Sequence, residues 1–336
     1  MEQRPLGKTG RGIGPIGLGC VTFGREIDEE SSRRIMDYAV ENGITFFDTA
    51  EAYGGGQSKI GRKSLTGVDD IREQTLDMSS SELIVGQWMK DRSMRHEITL
   101  CTKVSTGASA DNIHKALSAS LERLGTDSLD VYKIHSPDPS TPIEETMAAL
   151  DQEVKDGRVA ATGGSNYSAE QLQESLDVSK NRGYARFEVL QPPYNLTQRE
   201  VESDLFPLCK REQIAITSYS PLGAGFLAGK YNSDRSNVPT TTRFGIAPGH
   251  INLYFSDKNF DTVEMLRKKS EELDIPMVQL AMAWVMTNPD VTTVLIGART
   301  TAHIDNALKA YSAGLNSDLR SEMSRWPQSD LSPTTL

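Results

Sequence analysis

Residues able to move a proton recur at the ends of short apolar runs. Ile44-Thr45-Phe46-Phe47-Asp48 is rich in β-forming residues and ends on a carboxylate. Tyr53 follows five residues later, with Gly54-Gly55-Gly56 directly after it. The run from Ile98 to Lys103 stops at an ammonium, and the run from Leu129 to His135 stops at an imidazole. A phenol, with an ordinary pKa of about 10, is a poor acid at neutral pH. A neighbouring ammonium favours the phenolate and lowers that value. The expected arrangement therefore has Tyr53 as general acid/base and Lys103 lowering its pKa. Asp48 holds Lys103 charged, and His135 donates a hydrogen bond to a substrate oxygen. Such a set suits protonation of a carbonyl oxygen while hydride reaches the carbon. Each residue alone has a plainer role: a turn cap, a solvated strand end, a loop histidine, a packed aromatic. All four fall on one face of the architecture that the rest of the chain predicts, which speaks against four coincidences.

Eight apolar stretches read as strands: 16–19, 45–48, 98–103, 129–135, 159–163, 187–190, 214–218 and 293–296. Helices are predicted between and after them at 28–41, 81–91, 111–124, 142–156, 169–180, 198–211, 261–273 and 301–311. Thr141-Pro142-Ile143-Glu144 and Ser168-Ala169-Glu170-Gln171 carry the capping-box pattern of a helix start. Gly43, Gly125 and Gly157 stand where helices should stop. The strands are apolar throughout, as in parallel strands covered on both faces. Eight strand–helix units with no break in composition predict an α/β fold, a single (β/α)8 TIM barrel over residues 1–336. A doubly wound sheet is the alternative. It would carry Gly-x-Gly-x-x-Gly after the first strand, and Ile16-Gly17-Leu18-Gly19-Cys20 does not open that pattern.

Residues 4–16, centred on Gly10-Arg11-Gly12, predict an N-terminal β-hairpin placed as a structural plug under the barrel. Two long connections, 54–80 and 221–260, leave strand C-termini, the face that carries the site in such barrels. Residues 326–336, rich in Pro, Ser and Thr, read as a mobile tail.

The chain of 336 residues has a formal net charge of −10, which argues against nucleic acid and anionic membrane as partners. Cys20, Cys101 and Cys209 are odd in number, far apart and set in apolar stretches, so buried free thiols and a cytoplasmic location are expected. No metal-ligand spacing and no apolar run of membrane-spanning length is present.

The chain resembles the aldo-keto reductases over nearly its whole length. The stretches that match are Phe47-Asp48-Thr49-Ala50 with Tyr53-Gly54, Thr102-Lys103, and Ile134-His135-Ser136-Pro137-Asp138. Further on come Gly164-Ser165-Asn166-Tyr167, Gln191-Pro192-Pro193-Tyr194-Asn195 and Tyr219-Ser220-Pro221-Leu222-Gly223-Ala224-Gly225, all in the family's order. The resemblance implies a nicotinamide cofactor, NADPH with NADH as the alternative, and interconversion of an aldehyde, ketone or sugar with its alcohol. It implies the roles already given to Asp48, Tyr53, Lys103 and His135. Ser165, Asn166 and Gln191 would hold the carboxamide, and Tyr219 would stack on the nicotinamide ring. Ser220, Pro221, Leu222, Gly225 and Lys230 would pass over the pyrophosphate.

Gly297 and Arg299, before the last helix, resemble the family's 2′-phosphate site, and a helix N-terminus with an arginine suits a phosphate. Two departures stand out. His303 and Asn306-Ala307 replace the commonest adenine-contacting pattern, and 59–80 reads as an insertion beside Tyr53, expected to shape the substrate pocket or an oligomer contact. The competing function is a cofactor-binding regulatory subunit, since some relatives serve as channel accessory proteins. A metal-dependent lyase on the same barrel is a third reading, with no ligand cluster behind it.

Overall fold

The computed structural model describes residues 1–56, 73–75, 77–246 and 249–328. Its centre is a closed barrel of eight parallel strands: β3 (Ile16–Gly19), β4 (Phe46–Asp48), β5 (Thr99–Val104), β6 (Leu129–Ile134), β7 (Val159–Ser165), β8 (Phe187–Gln191), β9 (Ala215–Ser218) and β10 (Thr293–Gly297). They neighbour one another in sequence order, and β10 closes on β3. This is the predicted (β/α)8 barrel.

Successive strand residues face opposite sides, so each strand feeds two layers. Phe47, Leu100, Tyr132, Leu190 and Ile216 point outward into the core shared with the helices. Phe46, Cys101, Val131, Ala161, Val189, Ala215 and Leu295 form a separate interior cluster. Leu6 and Ile13 join that inner cluster from the antiparallel pair β1 (Arg4–Pro5) and β2 (Gly12–Ile13). The hairpin thus stoppers the barrel at its N-terminal end, as expected. One layer higher, the inward positions are polar: Asp48, Lys103, Lys133, Gln191 and Thr217 are all buried.

The helix beginning at Ala169 has the expected capping box on Ser168. The one at Thr141 does not form. Pro142 is the cap residue of Ile143–Lys155, with no side-chain cap bond. The Thr141 hydroxyl donates to Asp138 Oδ2 at 2.8 Å instead. Asp138 already organises this turn by accepting from Ser140 and from the Ala108 N–H, so it outcompetes the helix end. The helix predicted at 198–211 is a short 3-10 turn at Glu200–Glu202 followed by Leu205–Glu212. Outside the 221–260 connection, the helices Met277–Met286 and Ser317–Met323 were not foreseen.

The described residues of the connection 221–260 are packed, with the 3-10 segment Gly223–Ala228 and the helices Arg243–Ile246 and Gly249–Tyr254. Phe226 touches the rings of Phe244, Tyr254, Phe255 and Phe260, so aromatic contacts hold the loop down. The tail is anchored further than expected: Trp326 is buried, and the Arg199 guanidinium donates to the carbonyls of Ser324 and Trp326 and to Gln328 Oε1. Residues 329–336 lie outside the described residues, as does most of the 59–80 segment. At the near end of that segment Gly54, with φ of 117°, packs so closely that a Cβ would sit 2.2 Å from Ser80 Oγ. Only glycine fits there. All three cysteines are buried and unpaired.

Candidate active site

Asp48 ends β4, and its side chain turns into the barrel two positions above Phe46. Lys103 and Lys133 lie side by side on β5 and β6, in register, and both reach the same carboxylate. Lys103 Nζ is 2.5 Å from Asp48 Oδ1, and Lys133 Nζ is 3.0 Å from Oδ2. All three side chains are shielded from solvent. Isolated buried ions are costly, so mutual pairing is what makes the group tolerable. Burial works against the Asp48 carboxylate, but the two ammonium groups prevail and hold it well below the ordinary range. Burial likewise opposes the Lys103 charge, and Asp48 more than offsets it, so the ammonium is held above its ordinary pKa. Lys103 also donates to the Thr49 carbonyl at 2.7 Å.

Tyr53 sits over this group. Its hydroxyl is 3.3 Å from Lys103 Nζ, which also lies 4.5 Å from the ring centroid. His135 meets Tyr53 edge to face, ring centroids 5.5 Å apart. The four expected catalytic residues are therefore brought together. One expectation is reversed. Burial raises the Tyr53 phenol above its ordinary pKa of 10.0, and the pull of Lys103 is too small to overcome it. Lys103 spends its field chiefly on Asp48. Burial and then the Lys103 charge push His135 down to about 3, so its ring is neutral at physiological pH.

A cleft of about 1620 Å3 opens above these residues. Asp48, Tyr53 and His135 line it, as do Ser165, Asn166, Gln191, Tyr219, Ser220, Pro221, Leu222, Gly225, Lys230, Gly297, Arg299, His303 and Asn306. Lys103 alone of the expected site residues lies beneath the cleft floor, fully buried.

The chain matches the aldo/keto reductase family over residues 15–325. It belongs to that family. It is 31% identical over 323 residues to a probable voltage-gated potassium channel subunit beta of Arabidopsis thaliana, covering 92% of this chain and 91% of that one. It is 32% identical over 324 residues to a putative voltage-gated potassium channel subunit beta of Schizosaccharomyces pombe, covering 91% and 87%. It is 29% identical over 333 residues to YrpG, an uncharacterized oxidoreductase of Bacillus subtilis, covering 95% and 94%.

In this aldo/keto reductase the donor set along the cleft fits a dinucleotide. At one end stand amide and hydroxyl groups. Asn166, at φ of 63°, donates to the His135 carbonyl and accepts from the Tyr219 hydroxyl at 2.8 Å. Ser165 donates to the Gln191 carbonyl, and the Gln191 amide bridges Lys133 and Asp48. Ser165 and Gln191 are thus partly committed inside the protein, each keeping spare hydrogen-bonding capacity toward the cleft. At the other end Lys230 and His303 are both held below their ordinary pKa, by burial first and the Arg299 charge second. The Lys230 ammonium and the Arg299 guanidinium, with the His303 ring beside them, make a site that suits an anion. Between the ends, positive φ at Ser220, Gly223, Ala224 and Gly225 curls the backbone around the cleft wall.

Sequence reasoning missed Lys133, Ser105, Thr217 and Glu26. Lys133 is two residues before His135 on the same strand face, a spacing that could have flagged it. The Ser105 hydroxyl lies 2.6 Å from His135 Nδ1. Glu26 faces Arg299 at 3.7 Å, a carboxylate beside the expected phosphate end. Among the described residues, no helix is long and apolar enough to cross a membrane.

Proposed function

We propose that this chain is a nicotinamide-dependent reductase of aldehydes, ketones or related carbonyl compounds, with Tyr53 as proton donor. The observation that carries the reading is the meeting of Tyr53 with Lys103 at 3.3 Å and with His135 at 5.5 Å between ring centroids, at the floor of the cleft. Lys230, Arg299 and His303 would hold NADPH in preference to NADH, and the bound cofactor would supply the hydride. Tyr53, protonated at neutral pH as any phenol is and held more firmly so by burial, gives its proton to the substrate oxygen. Lys103 then stabilises the phenolate left behind. His135, neutral, donates its remaining N–H to the same oxygen and fixes the carbonyl's orientation. The proton returns from water before the next cycle.

A second reading has the chain as a cofactor-binding subunit of a larger assembly, and the names of the Arabidopsis and Schizosaccharomyces relatives favour it. The intact Asp48, Tyr53, Lys103 and His135 set favours chemistry. The test is consumption of NADPH and NADH, followed by absorbance, against a panel of aldehydes, ketones and sugars. Tyr53→Phe should lower kcat by about 100-fold or more and leave cofactor affinity nearly unchanged. Retained turnover in that variant would sink the role of Tyr53. Cofactor binding with no turnover across the panel would favour the subunit reading.

A further inference from the structure

Lys133 is a second buried ammonium in a site whose proton chemistry uses only one. Its three protons are all spoken for: Asp48 Oδ2 at 3.0 Å, Gln191 Oε1 at 3.0 Å and Thr217 Oγ1 at 3.3 Å. Its partners come from β4, β8 and β9, so the side chain crosses the barrel interior under the cleft floor. Two consequences follow. First, one carboxylate answers two ammonium groups, which leaves an excess positive charge beneath the residues lining the cleft. Second, the Gln191 amide has its orientation fixed: oxygen toward Lys133, and nitrogen 3.3 Å from Asp48 Oδ1. A single lysine opposite Asp48 would give a neutral pair and a free amide. Stability alone is a poor account of the extra ion, because a buried charge costs more than a well-packed apolar side chain of the same size.

We propose that Lys133 is a positioning residue that sets the redox preference of the cleft. It fixes Asp48 and Gln191, and it keeps the floor positive so that the neutral reduced nicotinamide is favoured over the cationic oxidised one. The inference rests on the nicotinamide-binding part of the proposed function and not on turnover. Gln191 connects the charge to the cleft, since its amide touches Lys133 on one side and lines the cleft on the other. The effect is long-range electrostatics in a water-poor interior, where one unit charge about 10 Å away changes an equilibrium by about tenfold at an effective dielectric of about 20.

The experiment measures dissociation constants of NADP+ and NADPH by quenching of tryptophan fluorescence for the wild type, Lys133→Met and Lys133→Arg. The wild type should hold NADPH more tightly than NADP+. In Lys133→Met that preference should fall by about tenfold, whereas Lys133→Arg, which keeps the charge, should retain most of it. If the Met variant does not fold, Lys133→Gln removes the same charge while keeping an amide for Asp48. A purely structural lysine would change both affinities together and leave their ratio alone, and that result overturns the proposal. A wild type that binds neither form removes the nicotinamide reading and this inference with it. A shifted ratio in a protein that reduces none of the carbonyl panel would support the inference while defeating the reductase reading.

Discussion

The Ser105 hydroxyl lies 2.6 Å from Nδ1 of His135, and the Ser105 N–H is itself held by Glu51 Oε2 at 2.9 Å. With the imidazole neutral, the Ser105 hydroxyl donates to Nδ1 in the tautomer that carries its proton on Nε2, the tautomer that donation to substrate requires. Ser105→Ala should let the ring choose the other tautomer and lower kcat/KM by about tenfold, with cofactor affinity unaffected. Ser105→Thr keeps the hydroxyl and should retain most activity. Steady-state kinetics of the two variants decides it, and equal losses would remove the tautomer argument.

The burial of His135 also enters the pH dependence of stability. Its folded pKa is pushed down to about 3 from an ordinary 6.5. Between those values the unfolded chain takes up a proton that the folded chain refuses. The stabilisation is therefore complete above the ordinary value and is lost as pH falls toward the folded one. At about pH 4.5 the loss from this residue is on the order of 2 kcal/mol. Urea denaturation of the wild type between about pH 7 and 4.5 should show a steeper decline than that of His135→Asn. Asp48, whose folded pKa is depressed below an ordinary 3.8, adds its own loss only at lower pH.

Glu26 and Arg299 face each other at 3.7 Å near Lys230 and His303, both of which burial and the Arg299 charge hold below their ordinary pKa. Arg299→Ala should weaken NADPH by about tenfold or more, the loss of one charge-assisted contact, and leave NADH within about twofold. Glu26→Gln removes a carboxylate that repels phosphate and should tighten NADPH severalfold. Both changes are read from Kd values for the two cofactors. An equal loss for NADPH and NADH in the arginine variant would displace the phosphate from this end of the cleft.

Arg199 joins the connection after β8 to the last described turn of the chain. Its guanidinium donates to the Ser324 and Trp326 carbonyls and to Gln328 Oε1, and it lies 5.8 Å from the Trp284 ring. Arg199→Ala leaves buried carbonyls without donors and should cost about 2–4 kcal/mol. Limited proteolysis should then cut the C-terminal segment before the barrel. Unchanged thermal stability would show that Trp326 holds the segment unaided.

The strands were readable because parallel barrel strands are apolar on both faces and short. Each expected strand begins and ends within two residues of an observed one. The meeting of Asp48, Lys103 and His135 was legible from one rule, a polar residue at or beside a strand's C-terminal end, and Tyr53 from its place in the loop that leaves β4. Where the reading failed, the cause was long-range. Met277–Met286 is buried from Leu280 to Met286, so it has no polar face and no helical period to detect. Lys133 shares its strand face with His135, but its role depends on Asp48, Gln191 and Thr217, which arrive from three other strands. The direction of the Tyr53 shift was missed because its largest cause is burial, which a motif does not display. Thr141 went to Asp138 because a turn competed with a helix end.

The ion group on the barrel floor ties sheet closure to the birth of the site. Its members come from β4, β5 and β6 on one arc and from β8 and β9 on the other. A partly assembled sheet would leave two ammonium groups in water, where pairing with one carboxylate gains little. Desolvation and mutual satisfaction become available together only when the ring of strands is complete. During refolding, recovery of cofactor binding should therefore track the last step of barrel closure rather than the appearance of helix, and half-barrel fragments should carry no trace of the site.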